Sequence, residues 1–397
     1  MIVVPDLPLE GVVVVSLEQA VAAPYATRQL ADLGARVIKI ERPGTGDFAR
    51  GYDETVHGES SYFVWLNRSK ESLSLDLKSP DGLEILRELL ADADVFVQNL
   101  GPGATGRMGL GAVDLAESNP RLIVCDISGY GADGPWRSRK AYDLLVQAEA
   151  GLLSITGSEE SVAKAGVSVA DIAAGSFAYS GILASLLSRA TTGRATAVSV
   201  SLFEALAEWM GSPAYYTQYG GTSPRRTGAR HATIAPYGPF VAGDGEAVLL
   251  AVQNQREWGR LCEQVLELPG LVTDPRFAKN PDRVANRDDL ESIIAAAVCA
   301  FSSTELEARL AGDGIANARM TTMDQLWSHP VLTERGRWRD VDTPGGVVSA
   351  LVPPATLAGL EPRMDPVPSV GEHTAAILAA LGRSSTEIDR LRAIAVI

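Results

Sequence analysis

Val12-Val13-Val14-Val15, a helical pattern near Pro24 to Leu33, and then Arg36-Val37-Ile38-Lys39-Ile40 set the fold class of this chain. A run of four β-branched residues has no polar face, so it reads as a strand buried on both sides, and so does the second run. Leu73-Ser74-Leu75-Asp76-Leu77 alternates like a half-buried strand. Ser79-Pro80-Asp81 opens a helix to about Ala91. Ser79 stands at the N-cap, Pro80 in the first position and Asp81 on the positive end of the dipole. Val95-Phe96-Val97 and Leu122-Ile123-Val124 are further buried strands. Strands alternating with helices at this spacing predict βαβ units and a largely parallel, Rossmann-like sheet in an α/β protein.

Beyond that sheet, Ala141 to Trp209 reads mainly as helix, interrupted by a strand at Thr196 to Ser201. Asp171 to Leu187 is rich in Ala, Gly and Ser, so its backbone is able to approach its neighbours closely. Residues 217–245 read as a long loop, and 246–320 as a second, smaller α/β module. That module has a strand at Ala247 to Val252 and helices near 256–266, 286–301 and 303–312. A Pro- and Gly-rich tract, 343–370, returns to a helix from about Gly371 to Leu381. A length of 397 residues suits two or three domains at roughly 150 residues each. The expected division is a large domain beginning with 1–216, a linker and small domain at 217–325, and a return through 326–397.

Charge and cysteine content exclude several classes. With 35 basic and 49 acidic residues the net charge is -14, which argues against nucleic-acid binding through bulk positive charge. A local basic pocket for an anionic small molecule stays open. Cys125, Cys262 and Cys299 contain no CxxC pair, and His57, His231, His329 and His373 have no metal-ligand spacing. The expectation is no metal, no disulfide framework and a reducing cytoplasm. The start, Met1 to Gly11, has no basic n-region and meets Pro5 and Asp6 at once, so it does not read as a signal peptide. No uncharged apolar run has the length of a membrane span, so no membrane partner is expected.

Gly101-Pro102-Gly103-Ala104-Thr105-Gly106 is a literal GxGxxG after a strand, and Asp126 lies about 20 residues beyond it, like the ribose-binding acid of a dinucleotide fold. Pro102 inside the turn, and Arg107-Met108-Gly109-Leu110-Gly111 after it, oppose the long helix that the fingerprint needs. There is no GxxxxGK[ST], HExxH or GxSxG. What remains is a set of polar and cationic residues at strand ends: Lys39 and Arg42, Asn99 and Arg107, then Arg137, Arg139 and Lys140. Ligands of open parallel sheets bind beyond the carboxyl ends of the strands. Positive charge there points to a phosphorylated ligand; the plain alternative is solvated surface charge. Asp171 is the carboxylate that stands out, because it opens a helix of small residues after Val167-Ser168-Val169-Ala170. A helix N-terminus favours the ionised form that a carboxylate nucleophile needs. The plain alternative is a first-turn acid that only serves the helix.

At these residues the chain resembles the class III CoA-transferases, the CaiB/BaiF family, over essentially its whole length. The resemblance rests on Leu33-Gly34-Ala35-Arg36-Val37-Ile38-Lys39-Ile40-Glu41-Arg42-Pro43, Asn99-Leu100-Gly101-Pro102-Gly103-Ala104 and Gly129-Tyr130-Gly131-Ala132-Asp133-Gly134-Pro135. Tyr142-Asp143, Val169-Ala170-Asp171-Ile172-Ala173-Ala174-Gly175 and Gly371-Glu372-His373-Thr374 follow in family order. It implies that Asp171 is the nucleophile, forming an aspartyl mixed anhydride and then an aspartyl-CoA thioester. It implies CoA contacts at Arg42, Leu75, Asn99, Arg107, Lys140 and Tyr142, and at Gln19 in the first loop. Gln19 and Val21 depart from the histidine and glutamine of formyl-CoA transferase, and that enzyme's Gly-rich flap is replaced by Arg226-Thr227-Gly228-Ala229-Arg230-His231. Formate and oxalate are therefore not the expected substrates.

The family fold is two domains with two chains interlocked in a homodimer. No permanently bound cofactor is implied; the CoA thioester is a substrate, and a free carboxylic acid is the other. In the racemase branch a histidine and a glutamate assist the aspartate; the matching positions here are Tyr142 and Asn254, which are poor general bases near neutral pH. Ala207-Glu208-Trp209-Met210-Gly211 with Tyr215-Tyr216, and later Pro236-Tyr237-Gly238, is similar to the mesaconyl-CoA and itaconate CoA-transferase branch. Arg225, Arg226, Arg230 and His231 are then candidates for the free carboxylate of a C4 or C5 dicarboxylic acyl group. The other readings are a 2-methylacyl-CoA racemase and a non-catalytic CoA-binding protein.

Overall fold

The computed structural model describes residues 7–397, and the Met1 to Asp6 stretch read above lies outside them. The chain divides into two compact units. The first comprises residues 1–150, 165–210 and 331–397, the second 151–164 and 211–330.

The first unit is built on a six-stranded parallel sheet: β1 (Val13–Leu17), β2 (Arg36–Glu41), β3 (Lys70–Ser74), β4 (Val95–Gln98), β5 (Ile123–Ser128) and β6 (Val198–Ser201). Their order is β3-β2-β1-β4-β5-β6, the doubly wound arrangement the valine run predicts. Val15 of β1 pairs with Ile38 of β2 on one side and Phe96 of β4 on the other, so the central strand is apolar on both faces. The third strand runs from Lys70 to Ser74 and not over 73–77. Lys70 is a buried charge at its start, which hides the strand from a hydrophobicity pattern. Pairing with β2 ends at Glu41 and Ser74, before the chain turns towards the helix Pro80–Ala91. Ser79 occupies the N-cap of that helix in an extended conformation, but its hydroxyl makes no capping bond.

One face of the sheet carries the Pro80–Ala91 helix and the C-terminal helices Thr374–Ala380 and Ser385–Ala393. Leu86, Leu89, Ile377, Leu378 and Leu391 close a core with Ile38, Leu73 and Phe96. The helix Ala22–Asp32 packs against the long helix Val169–Thr192, both on the first unit. The small residues read in the sequence explain the approach: a Cβ at Gly175 would sit 2.5 Å from the Ala22 carbonyl oxygen, and one at Gly181 2.8 Å from Val198. By length and composition alone Val169–Thr192 would cross a membrane. Its Arg189 pairs with Asp94 at 2.8 Å, and 39% of its apolar window is buried, Ala173, Ala174 and Ala178 included, so one side of it packs within the first unit.

The second unit contains an antiparallel sheet, β7 (Tyr237–Val241), β8 (Ala247–Ala251) and β9 (Ala316–Arg319), in that order. Helices Gln255–Arg260, Arg287–Val298 and Ser303–Gly312 cover it around Trp258, Leu261, Leu290 and Leu306. The segment read as loop up to residue 245 therefore supplies an edge strand. The Pro- and Gly-rich tract likewise starts with a hairpin, β10 (Trp338–Thr343) and β11 (Gly346–Leu351), in the first unit.

Candidate active site

The strand order reverses between β1 and β4, which opens a crevice beyond their carboxyl ends. Gln19 and Asn99 meet there. The Gln19 N–H donates to Asn99 Oδ1 at 2.8 Å, and Asn99 Nδ2 donates to the Gln19 carbonyl, also at 2.8 Å. Gln19 Oε1 in turn accepts the Phe48 N–H at 3.1 Å. Ala20 follows with φ of 59°, a left-handed conformation costly for a residue with a Cβ. Its N–H is held by Asp47 Oδ1 at 3.1 Å.

A buried charge network supports this loop and corrects one expectation. Lys39 does not face a ligand: it is fully buried, 2.7 Å from Asp47 and 3.3 Å from Glu18. Glu18 also accepts from Lys70 at 2.7 Å and from the Thr27 hydroxyl at 2.6 Å. Burial opposes the charge on Glu18, but Lys70 and Lys39 hold its carboxyl below the usual carboxylate range. A side chain at a strand's end follows the pleat, so Lys39 points into the protein while Arg42, just past the strand, is exposed.

The other expected CoA positions fall into two kinds. Arg42, Arg107, Lys140 and Tyr142 are exposed, at the ends of β2, β4 and β5. Arg107 ends a single helical turn, Ala104–Arg107, and donates to the Pro102 carbonyl at 3.2 Å. Leu75 differs and corrects the expectation of a CoA contact: the whole residue is 2% exposed, lies in the main core and gives its N–H to the Glu41 carbonyl at 2.8 Å. The GxGxxG turn opens four helical residues only, as Pro102 and the glycines foretell. Asp126 accepts Gln98 Nε2 at 2.8 Å across the sheet, and burial raises its pKa; it is a sheet residue. Arg139 is stacked 4.3 Å above Trp136 and paired with Glu149 at 2.7 Å.

Asp171 lies in the first turn of Val169–Thr192, partly buried. No donor reaches its carboxylate among the described residues. Burial first, and the charge of Asp143 second, push its pKa up to about 7. That shift runs against the one expected from the helix dipole, because desolvation outweighs a terminus already occupied. Asp143 Oδ1 accepts the Ala170 N–H at 2.8 Å and lies 3.4 Å from the Asp171 nitrogen. Sequence reasoning missed Tyr52, which feels the charges of Asp47 and Asp171; burial and these neighbours push its phenol up to about 12. No motif marks Tyr52; only its place past the β2 loop brings it near Asp171.

The basic segment lies in the second unit, and its cations have partners there. Arg226 donates from Nε to the Ser158 carbonyl and from Nη2 to that of Glu159, both at 2.9 Å. Arg230 pairs with Glu291 at 2.5 Å. His231 stacks on Tyr237 with centroids 5.2 Å apart, and its Nδ1 accepts the Thr233 N–H. Arg225 is exposed, with no ion pair among the described residues. Asn254, at the racemase glutamate position, caps Gln255–Arg260: it accepts the Glu257 N–H at 3.0 Å and donates to Glu257 Oε1 at 2.7 Å.

The first unit thus combines a doubly wound sheet, exposed cations beyond three of its strands and a carboxylate without donors in the first turn of its long helix. Residues 9–374 match CoA-transferase family III, and the chain belongs to that family of CoA-transferases. It is similar to the succinyl-CoA:glutarate CoA-transferase of Mus musculus, with 36% identity over 94% of this chain and 86% of that protein. It is also similar to the succinyl-CoA:mesaconate CoA-transferase of Haloarcula hispanica, with 32% identity over 96% of this chain and 98% of that protein. The crystal structure of a CaiB/BaiF family protein from Brucella suis superposes with a TM-score of 0.82, at 33% identity, over 95% of this chain and all of that one.

Proposed function

We propose that this enzyme moves CoA from a donor acyl-CoA to a free C4 or C5 dicarboxylate of the succinate, mesaconate, itaconate or glutarate type. The observation that carries the mechanism is the Asp171 carboxylate, without a hydrogen-bond donor and with its pKa raised to about 7. Such an oxygen is more basic, and so more nucleophilic, than an ordinary carboxylate. One Asp171 oxygen attacks the thioester carbonyl carbon, the carbon–sulfur bond breaks, and CoA leaves as thiolate. The thiolate then attacks the aspartyl carbonyl of the mixed anhydride, forming an aspartyl-CoA thioester and releasing the donor acid. The acceptor carboxylate attacks that thioester, expelling thiolate again. Attack of the thiolate on the acceptor's acyl carbon releases the new acyl-CoA and the Asp171 carboxylate. Both acyl intermediates hydrolyse if water enters.

Arg42, Arg107 and Lys140 are assigned to the CoA phosphates, and Gln19, Asn99 and Tyr142 to the chain leading to the thioester. The Tyr52 phenol stays protonated, so it is a donor for the oxyanion formed beside Asp171. Arg226, Arg230 and His231 are assigned to the far carboxylate of the acyl group, with Arg225 beside them. Residues 1–216 and 326–397 form the CoA-binding domain of this reading, and 217–325 the small one. Two chains interlock in the working enzyme; Tyr215 and Tyr219, 68% and 81% exposed on Gly211–Gly220, support burial by a partner. A cytoplasmic location suits the three free cysteines.

The test is Asp171→Ala. Turnover is lost while CoA still binds, because the phosphate contacts are untouched. Wild-type enzyme treated with acyl-CoA and hydroxylamine carries the modification on Asp171, and a panel of succinyl-, mesaconyl-, itaconyl- and glutaryl-CoA with free acids identifies the pair. Substantial turnover in Asp171→Ala rejects the covalent route. Exchange of the α-proton of a 2-methylacyl-CoA with deuterated water, without CoA transfer, favours a racemase instead.

A further inference from the structure

The nucleophile's helix lacks a cap of its own. Ser168 occupies the N-cap of Val169–Thr192, yet its hydroxyl makes no capping bond. The missing acceptor comes from another element. Asp143, first residue of the helix Asp143–Glu149, accepts the Ala170 N–H at 2.8 Å and reaches the Asp171 N–H at 3.4 Å through the same oxygen. Its second oxygen accepts Gln147 Nε2 at 2.6 Å. Gln147 is fully buried, and its own carbonyl is fixed by the Ala165 N–H at 2.9 Å, so the aim of Asp143 is locked from behind.

We propose that Asp143 is the positioning residue of the nucleophile: it caps the Asp171 helix from a neighbouring helix and, by taking the free N–H groups, leaves the Asp171 carboxylate without a donor. The proposal rests on Asp171 being the nucleophile. An acid in the first helical turn is ordinarily stabilised as the anion by those N–H groups and by the positive helix end. Here a second carboxylate occupies them, and its negative charge offsets the helix field at the place where Asp171 needs it. The charged group that acts on Asp171 is Asp143, and Asp171 acts in turn on Tyr52, which Asp47, Tyr142 and Tyr62 also face. None is a cation. Asp171 therefore keeps a basic, poorly stabilised oxygen, aimed by a fixed backbone. Asp143 itself touches no reacting atom in this arrangement.

Asp143→Asn separates charge from shape, because the amide oxygen still accepts the Ala170 N–H. In wild type, kcat/KM for acyl-CoA rises through an acid limb near pH 7 as Asp171 ionises. In Asp143→Asn the limb moves down by about one pH unit, the size expected of a close like charge. The KM for acyl-CoA stays within about twofold, since no phosphate contact is touched, and the plateau kcat falls with the basicity of the nucleophile. Asp143→Ala, which removes the acceptor as well, loses a further tenfold or so in kcat. A second readout does not depend on turnover: the difference in Tm between the enzyme and its Asp171→Asn form, followed against pH. That difference grows from about pH 4 and levels off near pH 7 when Asp143 is present, and it levels off at lower pH in the Asp143→Asn background. Equal midpoints in both backgrounds overturn the proposal, whatever the rates do. A midpoint that moves in an enzyme with no acyl transfer to Asp171 instead rejects the covalent function and leaves the positioning intact. If Asp143→Asn does not fold, Asp143→Ser, also neutral, serves in the same comparison.

Discussion

Lys39 and Arg42 lie three residues apart at one sheet edge, and their surroundings give them opposite work. Lys39 is enclosed by Glu18 and Asp47, so removing its charge leaves the buried Asp47 carboxylate without its cation and Glu18 with Lys70 alone. Lys39→Ala is expected to cost about 3–5 kcal/mol in denaturant unfolding, with no selective effect on the acyl-CoA KM. Arg42→Ala and Arg107→Ala are expected to leave stability within about 0.5 kcal/mol. Each then weakens acyl-CoA binding by about 1–3 kcal/mol, read by calorimetry. Unchanged affinity in both returns them to solvated surface. At Asp171 the raised pKa makes a further prediction. Between about pH 4, where a free aspartate titrates, and the folded value of about 7, the folded protein holds a proton that the unfolded chain lacks. Stability contributed at this position is therefore present below that window and lost as pH rises through it. Asp171→Asn removes the dependence, so its Tm exceeds wild type above pH 7 and converges with it towards pH 4. A constant difference across that range would show that the carboxyl titrates normally. The residue types at both places were legible in the sequence, but their charge states were not: an ionisation depends on what surrounds it, and the neighbours come from distant segments.

Helix contacts carry the next level. Gly175 stands one turn after Asp171 and has no room for a side chain, its virtual Cβ being 2.5 Å from the Ala22 carbonyl oxygen. Gly175→Ala forces Ala22–Asp32 and Val169–Thr192 apart and is expected to cost about 1–3 kcal/mol. The same shift moves Asp171, so on the proposed covalent route kcat falls more than the acyl-CoA KM rises; an unaffected Tm would mean the helices yield without strain. The small-residue composition of Asp171 to Leu187 is the sequence signature of this approach. The hairpin of β10 and β11 left no such sign. Asp340, Asp342 and Ser349 interrupt its strands, and Pro344 with Gly345 reads as loop. It forms because its apolar residues find Phe63 and Val367, far away in the chain: Val341 is 2% exposed and packs with both.

At the scale of the molecule, net charge is -14, yet the substrates of this enzyme family are anions, so binding depends on where the few cations stand. The acyl end is the place to measure that. Neutralising an arginine that meets a buried carboxylate hurts a dicarboxylic acyl group far more than one ending in methyl. The ratio of kcat/KM for succinyl- and butyryl-CoA is therefore expected to fall in Arg225→Ala, Arg226→Ala or Arg230→Ala. Since Arg226 is engaged by two backbone carbonyls and Arg230 by Glu291, the largest fall is expected at Arg225, whose guanidinium is exposed. A ratio unmoved in all three makes the segment a structural linker.

The sequence by itself determined the parallel sheet and the close packing along Val169–Thr192, and it singled out Asp171 as the candidate carboxylate. All three are written in local patterns: β-branched runs without a polar face, a stretch of small side chains, and motifs in family order. Only the tertiary structure decided that Lys39 is a buried counterion, that Asp143 occupies the N-terminus of the Asp171 helix, and that Tyr52 stands near its carboxylate. Each of these depends on groups 8 or more residues apart, and the field at a side chain is the sum over whatever folding brings beside it.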